Sequence, residues 1–377
     1  MTAPRICPAC GATDATALAV KHRFLRHMDY APMRAQPGQL LKCAACQMMF
    51  MGDAATLAEQ RAMYQGVDYA GTKTSPYVVF AANGSAAATT YDAMAEILAG
   101  RMQLRGKRVL DFGCFHGKLL EALNQGADGL DCHGYDVSPA IAALFPKKPN
   151  FTYWSDDPGA IPGTFDLITV VNALMYVDDV RATFDYLNSR LAPDGIVFVL
   201  VPDCARNPQA LLYGDQRTFY TPVILGNLAA RYGLAIEFID APAFPRSIVA
   251  LCRRAPAATA RGPAIDDAPE RSLAYLDAAK DKLGRAVSDH RARNAGGKVA
   301  VLGVSPNAAW AGQVLDGAVD LYVDENPTRQ GTVFCGRPVD HPSILSERDL
   351  IALPYGATAA PIAQKFVTRY RARLLPL

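Results

Sequence analysis

The stretch "VLDFGCFHGKLLEAL" (residues 109–123) decides the fold. An apolar run ends at Asp111, Gly113 follows, and Gly117 opens a segment with helical spacing. A strand turning sharply into a helix aims backbone N–H groups and the positive helix end at one point, a ready seat for a nucleotide-like ligand. Gly113 permits the tight turn and Gly117 lets the helix pack closely, while Asp111 ends a buried strand. Phe115 occupies the middle position, where the pyrophosphate of a dinucleotide requires a small residue. A cofactor without phosphates, such as S-adenosylmethionine (SAM), tolerates a side chain there.

Working outward, "GYDVSPAIA" places Asp136 at the end of the next strand, about 20 residues on, where an acid can accept hydrogen bonds from both ribose hydroxyls. A helix N-cap is the plainer role at this place, and Ser138 can supply it. The stretch "SDDPGAIPGTFDLITVVNALMYVDD" (155–179) then reads as the loop and strand beside the adenine and the acceptor. Asp156 or Asp157 is positioned to meet the adenine amino group, and Asn172 closes the strand. Strands are expected at 107–113, 131–137, 165–174, 195–203 and 247–254, with helical patterns between most of them. That alternation predicts an α/β fold with a mainly parallel sheet.

Two Cys-x-x-Cys pairs precede this core, Cys7/Cys10 in "CPACG" and Cys43/Cys46 in "CAACQ". Four thiolates can close a tetrahedral shell around Zn²⁺, leaving no open position, so the expected role is structural. A redox dithiol or two chance pairs are the alternatives. His22 and His27, between the pairs, are read as surface residues because four thiols already fill the shell. Residues 255–266, "APAATARGPAID", read as a linker, and a long helical pattern at 269–294 leads to a second α/β unit with strands at 298–304, 320–326 and 349–355. The expected division is a knuckle domain at 1–52, a core at 53–255, linker and helix at 256–295, and a C-terminal Rossmann-like domain at 296–377.

Totals bound the partners. Thirty-eight basic against 36 acidic residues give a net charge of +2, which speaks against a nucleic-acid partner. No apolar run of about 18 residues argues for a membrane span. The first residues lack the apolar centre of a signal peptide, and nine cysteines then suit a reduced, cytoplasmic setting.

In that order, "VLDFGCFHG", "GYDVS", "FDLITVVNALMYVDD" and "LAPDGIVFVLVPD" resemble a class I SAM-dependent methyltransferase. The whole layout is similar to the zinc-containing sugar C-methyltransferases that act on nucleotide-linked keto-deoxysugars. "YVDENPTRQGTVFCGRPVDHPSIL" (322–345) is similar to that family's D-x-N-P-x-K-Q-G stretch, and "YQGVDYAGTKTSP" (64–76) to its tyrosine-bearing segment before the core. The resemblance implies SAM as cofactor, a structural Zn²⁺ and a small-molecule acceptor, a nucleotide sugar or a related secondary metabolite. It also implies that the C-terminal domain holds the nucleotide part of the substrate or supports a dimer; a lid that only buries the site is the plainer alternative.

The departures are specific. The family's Glu-His loop after the fourth strand is here "LYGDQRTFYT" (212–221), its histidine in the 172–179 segment is Tyr176, and its glycine-rich stretch near the closing strand is "FPRSIVA" (244–250). The histidine base for carbon deprotonation is therefore absent from its place. Methyl transfer is an in-line displacement that depends mostly on positioning, and it needs a base only when the acceptor must lose a proton. Tyr176, Tyr220 and Asp215 are the candidate catalytic residues, with Asp203 and Arg217 beside them in the chain. Two other readings stay open: an RNA or protein methyltransferase that grips its substrate with the knuckle, and a SAM-fold protein with altered activity.

Overall fold

The computed structural model describes residues 6–22, 24–25, 40–52, 62, 64–66, 78–80, 86–255 and 263–377. His27, the tyrosine-bearing segment beyond Gly66 and the centre of the linker (256–262) lie outside the described residues. The described chain divides into two compact units. The first comprises Met1–Thr16, Leu41–Pro202 and Tyr220–Ile265, and the second Ala17–Leu40, Asp203–Phe219 and Asp266–Leu377. Both units are discontinuous, whereas the sequence suggests segments in linear succession: residues 17–40 and 203–219 leave the first unit and return to it.

Short strands β1 (Ala15–Ala17), β2 (Leu40–Cys43), β3 (Met49–Met51), β4 (Val78–Phe80), β5 (Ala86–Thr89) and β11 (Thr218–Phe219) stand apart from the main sheets. The first unit is built on seven strands: β6 (Arg108–Phe112), β7 (Asp131–Tyr135), β8 (Phe151–Trp154), β9 (Phe165–Val171), β10 (Leu191–Pro202), β12 (Leu234–Phe238) and β13 (Ser247–Arg254). Their order is β12-β13-β10-β9-β6-β7-β8. Five central and flanking strands run parallel, and β13 pairs antiparallel with both β10 and β12. Val109, Leu110, Leu167, Ile168, Val170 and residues 196–201 are buried almost completely, as a sheet covered on both faces requires. The chain runs from β6 outward through β7 to β8, then returns to β9 on the other side of β6. That reversal opens a crevice at the carboxyl ends of β6, β7 and β9, the place where open α/β sheets bind ligands.

The expected strands are present, with shifted ends. The strand expected to reach residue 174 stops at Val171, because Asn172 turns left-handed (φ 50°) while its N–H still donates to Leu200 O at 2.8 Å. β8 and β12 were not foreseen: they are sheet edges with mostly half-buried or exposed side chains, so neither a continuous apolar run nor a clean alternation marks them. The helix Val180–Arg190 starts where Asp179 accepts the Ala182 N–H, an N-cap of the usual kind.

In the second unit β14 (Val299–Leu302), β15 (Leu321–Val323), β16 (Val333–Phe334), β17 (Arg337–Asp340), β18 (Leu350–Leu353) and β19 (Arg373–Pro376) form a sheet of order β16-β17-β15-β14-β18-β19. All neighbours are parallel except β16 and β17. No helix among the described residues is long and apolar enough to cross a membrane.

Candidate functional site

A cavity of about 550 Å³ opens at the carboxyl ends of β6, β7 and β9. Phe112 and Gly113 form its floor, Tyr135, Asp136 and Val137 one side, Asp156 and Pro158 the next, and Asn172, Ala173 and Tyr176 the opposite wall. Tyr64 and Gln65 close it from the segment before the core, and Asp178, Asp179, Ala182 and Thr183 from the start of the 180–190 helix. The volume is within the range of small-ligand pockets, roughly 300–1,000 Å³.

Gly113 makes the floor possible. Its φ is 85°, and a Cβ there would lie 2.4 Å from the Ala173 methyl, so any side chain would strain the turn and strike the facing wall. Its N–H donates to Tyr135 O at 2.7 Å, which ties the turn to the end of β7. Beyond that carbonyl, Asp136 holds the turn from below: Oδ2 accepts the Phe115 N–H at 3.0 Å and Oδ1 the Ser138 N–H at 3.2 Å. Burial pushes its carboxyl up to about 6 against the pull of those N–H groups. Asp111 is buried further and sits at about 7, raised by desolvation and by Asp136 and held back by the Thr169 hydroxyl that donates to it at 2.7 Å. Three residues with side chains adopt left-handed backbone around this seat: Phe115 (φ 45°), Asp156 (φ 67°) and Asn172 (φ 50°). Strain of this kind persists where surrounding structure enforces it, and it gathers at ligand sites.

Of the residues singled out in the sequence, Gly113, Asp136, Asp156, Asn172 and Tyr176 line the cavity together. Asp111, Phe115, Gly117 and Asp157 are not in its lining. Asp111 is bonded to Thr169 within the sheet, the Phe115 ring stacks on His116 at 3.7 Å, and Gly117 is the N-cap of the helix Lys118–Gly126. The Asp157 carboxylate accepts the Gly159 N–H at 2.8 Å and caps a short turn. Tyr220 is buried, with its hydroxyl donating to Leu174 O at 3.3 Å. Asp203, Asp215 and Arg217 belong to the second unit. The sequence reading passed over Tyr64, whose ring meets that of Tyr176 at 4.8 Å, as well as Asp178, Asp179 and Thr183. Tyr64 was marked only by its place in the tyrosine-bearing segment, and no local pattern pairs it with Tyr176.

The four expected cysteines also come together. The Sγ atoms of Cys7, Cys10, Cys43 and Cys46 all lie within 4.8 Å of one another, with Cys7–Cys46 at 3.6 Å and Cys10–Cys43 at 3.5 Å. Tetrahedral Zn²⁺ with bonds of about 2.3 Å sets its sulfurs about 3.8 Å apart, so this donor set fits that ion. The two turns share one design: Gly11 N–H donates to Cys7 O and Gln47 N–H to Cys43 O, each at 2.9 Å, with left-handed Gly11 and Gln47 closing them. Crowding splits the thiols, since Cys43 is held low by accepting from Cys46 and Cys7, which are themselves pushed up. His22 is buried instead of exposed: its Nε2 meets Asp277 at 3.1 Å and its Nδ1 accepts from the Trp310 indole at 3.3 Å.

Within the 322–345 motif, residues 324–330 form linked turns between β15 and β16 in the second unit. Asp324 accepts the Val304 and Asn326 N–H groups, Asn326 Oδ1 accepts from Thr328, and the Gln330 amide donates to Asp324 O.

Residues 85–237 match the family model described as "Methyltransferase domain". The ubiquinone biosynthesis O-methyltransferase of Pseudomonas aeruginosa (strain UCBPP-PA14) is 29% identical, over 37% of this chain and 69% of its own. That of Neisseria meningitidis serogroup C (strain 053442) is 26% identical with the same coverage. Among solved structures, the DhpI–SAH complex is similar at TM-score 0.37 and 20% identity, over 54% of this chain and 96% of that one. The glycopeptide N-methyltransferase MtfA with SAM has TM-score 0.37 and 12% identity, over 43% and 93%.

Proposed function

We propose that this SAM-dependent methyltransferase seats its cofactor in the cavity above Gly113 and transfers the methyl group to a small-molecule acceptor entering beside Tyr64 and Tyr176. The observation that carries this reading is Asp136: a buried acid at the carboxyl end of β7 that braces the glycine turn and lines the cavity. SAM, when bound, supplies an electrophilic methyl group. Asp136 would hold the ribose hydroxyls, Val137, Asp156 and Pro158 would hold the adenine, and Gly113 would let the backbone approach closely. Asn172 and Ala173 hold the other wall, and the Tyr64–Tyr176 pair shapes the space for the acceptor. Holding nucleophile and methyl in line supplies most of the acceleration in such a displacement.

Cys7, Cys10, Cys43 and Cys46 hold a structural Zn²⁺ in this reading, in a cytoplasmic setting that keeps thiols reduced. The acceptor is a nucleotide-linked sugar or a related secondary metabolite, supported by the resemblance of the core motifs and of the 322–345 stretch to sugar C-methyltransferases. An oxygen acceptor is the second reading, favoured by the curated relatives, which are O-methyltransferases.

Calorimetry with SAM, S-adenosylhomocysteine and NAD⁺ tests the seat. Binding of the first two, weakened about 100-fold in Asp136→Ala by loss of charge-assisted bonds, is the expected result. Preference for NAD⁺ sinks the reading. Methyl uptake from labelled SAM into nucleotide sugars, against phenols and alcohols, then separates the two acceptors.

A further inference from the structure

We propose that the four-cysteine site positions the wall of the cofactor cavity, by capping the helix Val180–Arg190 with the peptide between its first two cysteines. The inference rests on the zinc and SAM readings above.

A helix begins with N–H groups that have no partner within it. Here the Asp179 side chain takes the Ala182 N–H at 2.9 Å, and the first bond of the helix itself runs from the Thr183 N–H to the Asp179 carbonyl at 3.1 Å. The Arg181 N–H, in the same turn, donates to Pro8 O at 3.2 Å. Pro8 lies between Cys7 and Cys10. The next carbonyl of that loop, Ala9 O, accepts the Tyr232 hydroxyl at 2.5 Å. Tyr232 in turn stacks its ring on Phe184 of the same helix, 5.0 Å between centroids, and accepts the Asn188 amide at 2.7 Å through its own carbonyl. Both peptides between the cysteines thus serve one helix, the first at its opening turn and the second through Tyr232.

That opening turn is cavity wall. Asp179, Ala182 and Thr183 line the cavity, directly after Tyr176 and Asp178. A metal ion locks the sulfurs of Cys7 and Cys10 to a common centre and so fixes the carbonyls between them. Without it the loop would keep only its turn bonds and the Tyr232 hydroxyl on Ala9 O, and the Arg181 N–H would lose a fixed acceptor. Pro8 and Tyr232 are therefore positioning residues that act on SAM through the helix.

Three readouts test this on the full chain: zinc content by elemental analysis, SAM affinity by calorimetry, and hydrogen exchange at the Arg181 amide. Chelation is expected to weaken SAM binding about tenfold, the effect of losing a helix cap, and to speed exchange at Arg181, with added zinc restoring both. Tyr232→Phe, which keeps the ring on Phe184, is expected to weaken SAM binding roughly two- to fivefold at unchanged zinc content. If the zinc-free chain unfolds, Tyr232→Phe decides alone. Unchanged SAM affinity and unchanged Arg181 exchange in that variant overturn the proposal, as does a chain that binds SAM well with no zinc. Should the zinc-loaded protein bind no SAM at all, the cofactor reading fails by itself, because exchange at Arg181 still reports the coupling.

Discussion

The chain builds one turn twice and leaves only one of the two copies open. Gly113 and Gly303 have φ of 85° and 87°, and each donates its N–H at 2.7 Å to the last carbonyl of the neighbouring strand. Each is followed across the sheet by an acid, Asp136 or Asp324, that accepts one N–H from the turn and another two residues further on. The difference comes from the strand on the other side. Beyond β9 stands Ala173, whose methyl leaves a cavity above the turn. Beyond β18 stands Tyr355, whose hydroxyl donates to Leu302 O and lies 2.0 Å from where a Cβ on Gly303 would be. Arg329 completes the plug, donating to Val304 O at 2.6 Å and meeting Asp324 at 3.4 Å. In the proposed reading, a glycine turn with an acid beside it is half of a cofactor seat. The size of one residue on the facing strand supplies the other half.

Moving the plug breaks the comparison most directly. Ala173→Tyr should abolish SAM binding in a chain that still folds, read by calorimetry beside a thermal melt. SAM affinity within a few-fold of the parent would show that the facing wall does not matter. Next in size is the pair of acids. Where Asp136→Ala loses SAM, Asp324→Ala should leave its affinity unchanged and cost about 1–3 kcal/mol of stability in denaturant melts, for the N–H groups left without acceptors. Equal loss of SAM in both variants would mean that the two turns share a role. Tyr355→Ala should cost a comparable amount, about 2–4 kcal/mol for an emptied buried ring, with SAM stoichiometry still one per chain.

The smallest effect concerns Asp111, which has Val301 as its counterpart two residues before Gly303. Its carboxyl titrates near 3.8 when unfolded and about 7 when folded, so the folded state holds the extra proton between those values. Its contribution to stability then falls as pH rises from about 4 to about 7, by up to a few kcal/mol. Asp111→Asn should remove that slope and keep an acceptor for Thr169. An unchanged pH profile of melting would contradict the assignment.

Much of this was legible along the chain. The strand–turn–helix of 109–123, the acid at 136 and the paired cysteines are local signals: a period, a glycine that must turn, two thiols on one knuckle. Local chemistry dictates them, since turn conformation and metal-ligand spacing involve only neighbouring residues. Two glycine turns could be found in the same way, and the second has one glycine, Gly303, before its helix, but the room above each turn could not be read. Choosing between them needed Ala173 and Tyr355, which meet their glycines only after the sheets assemble. The same holds for Tyr64 against Tyr176, for buried His22 and for the Pro8 carbonyl on Arg181. Each is a contact between residues far apart in sequence, set by strand order and helix placement, and no short-range period encodes it. The sequence by itself determined the chemistry the chain carries; tertiary packing decided where there is room to use it.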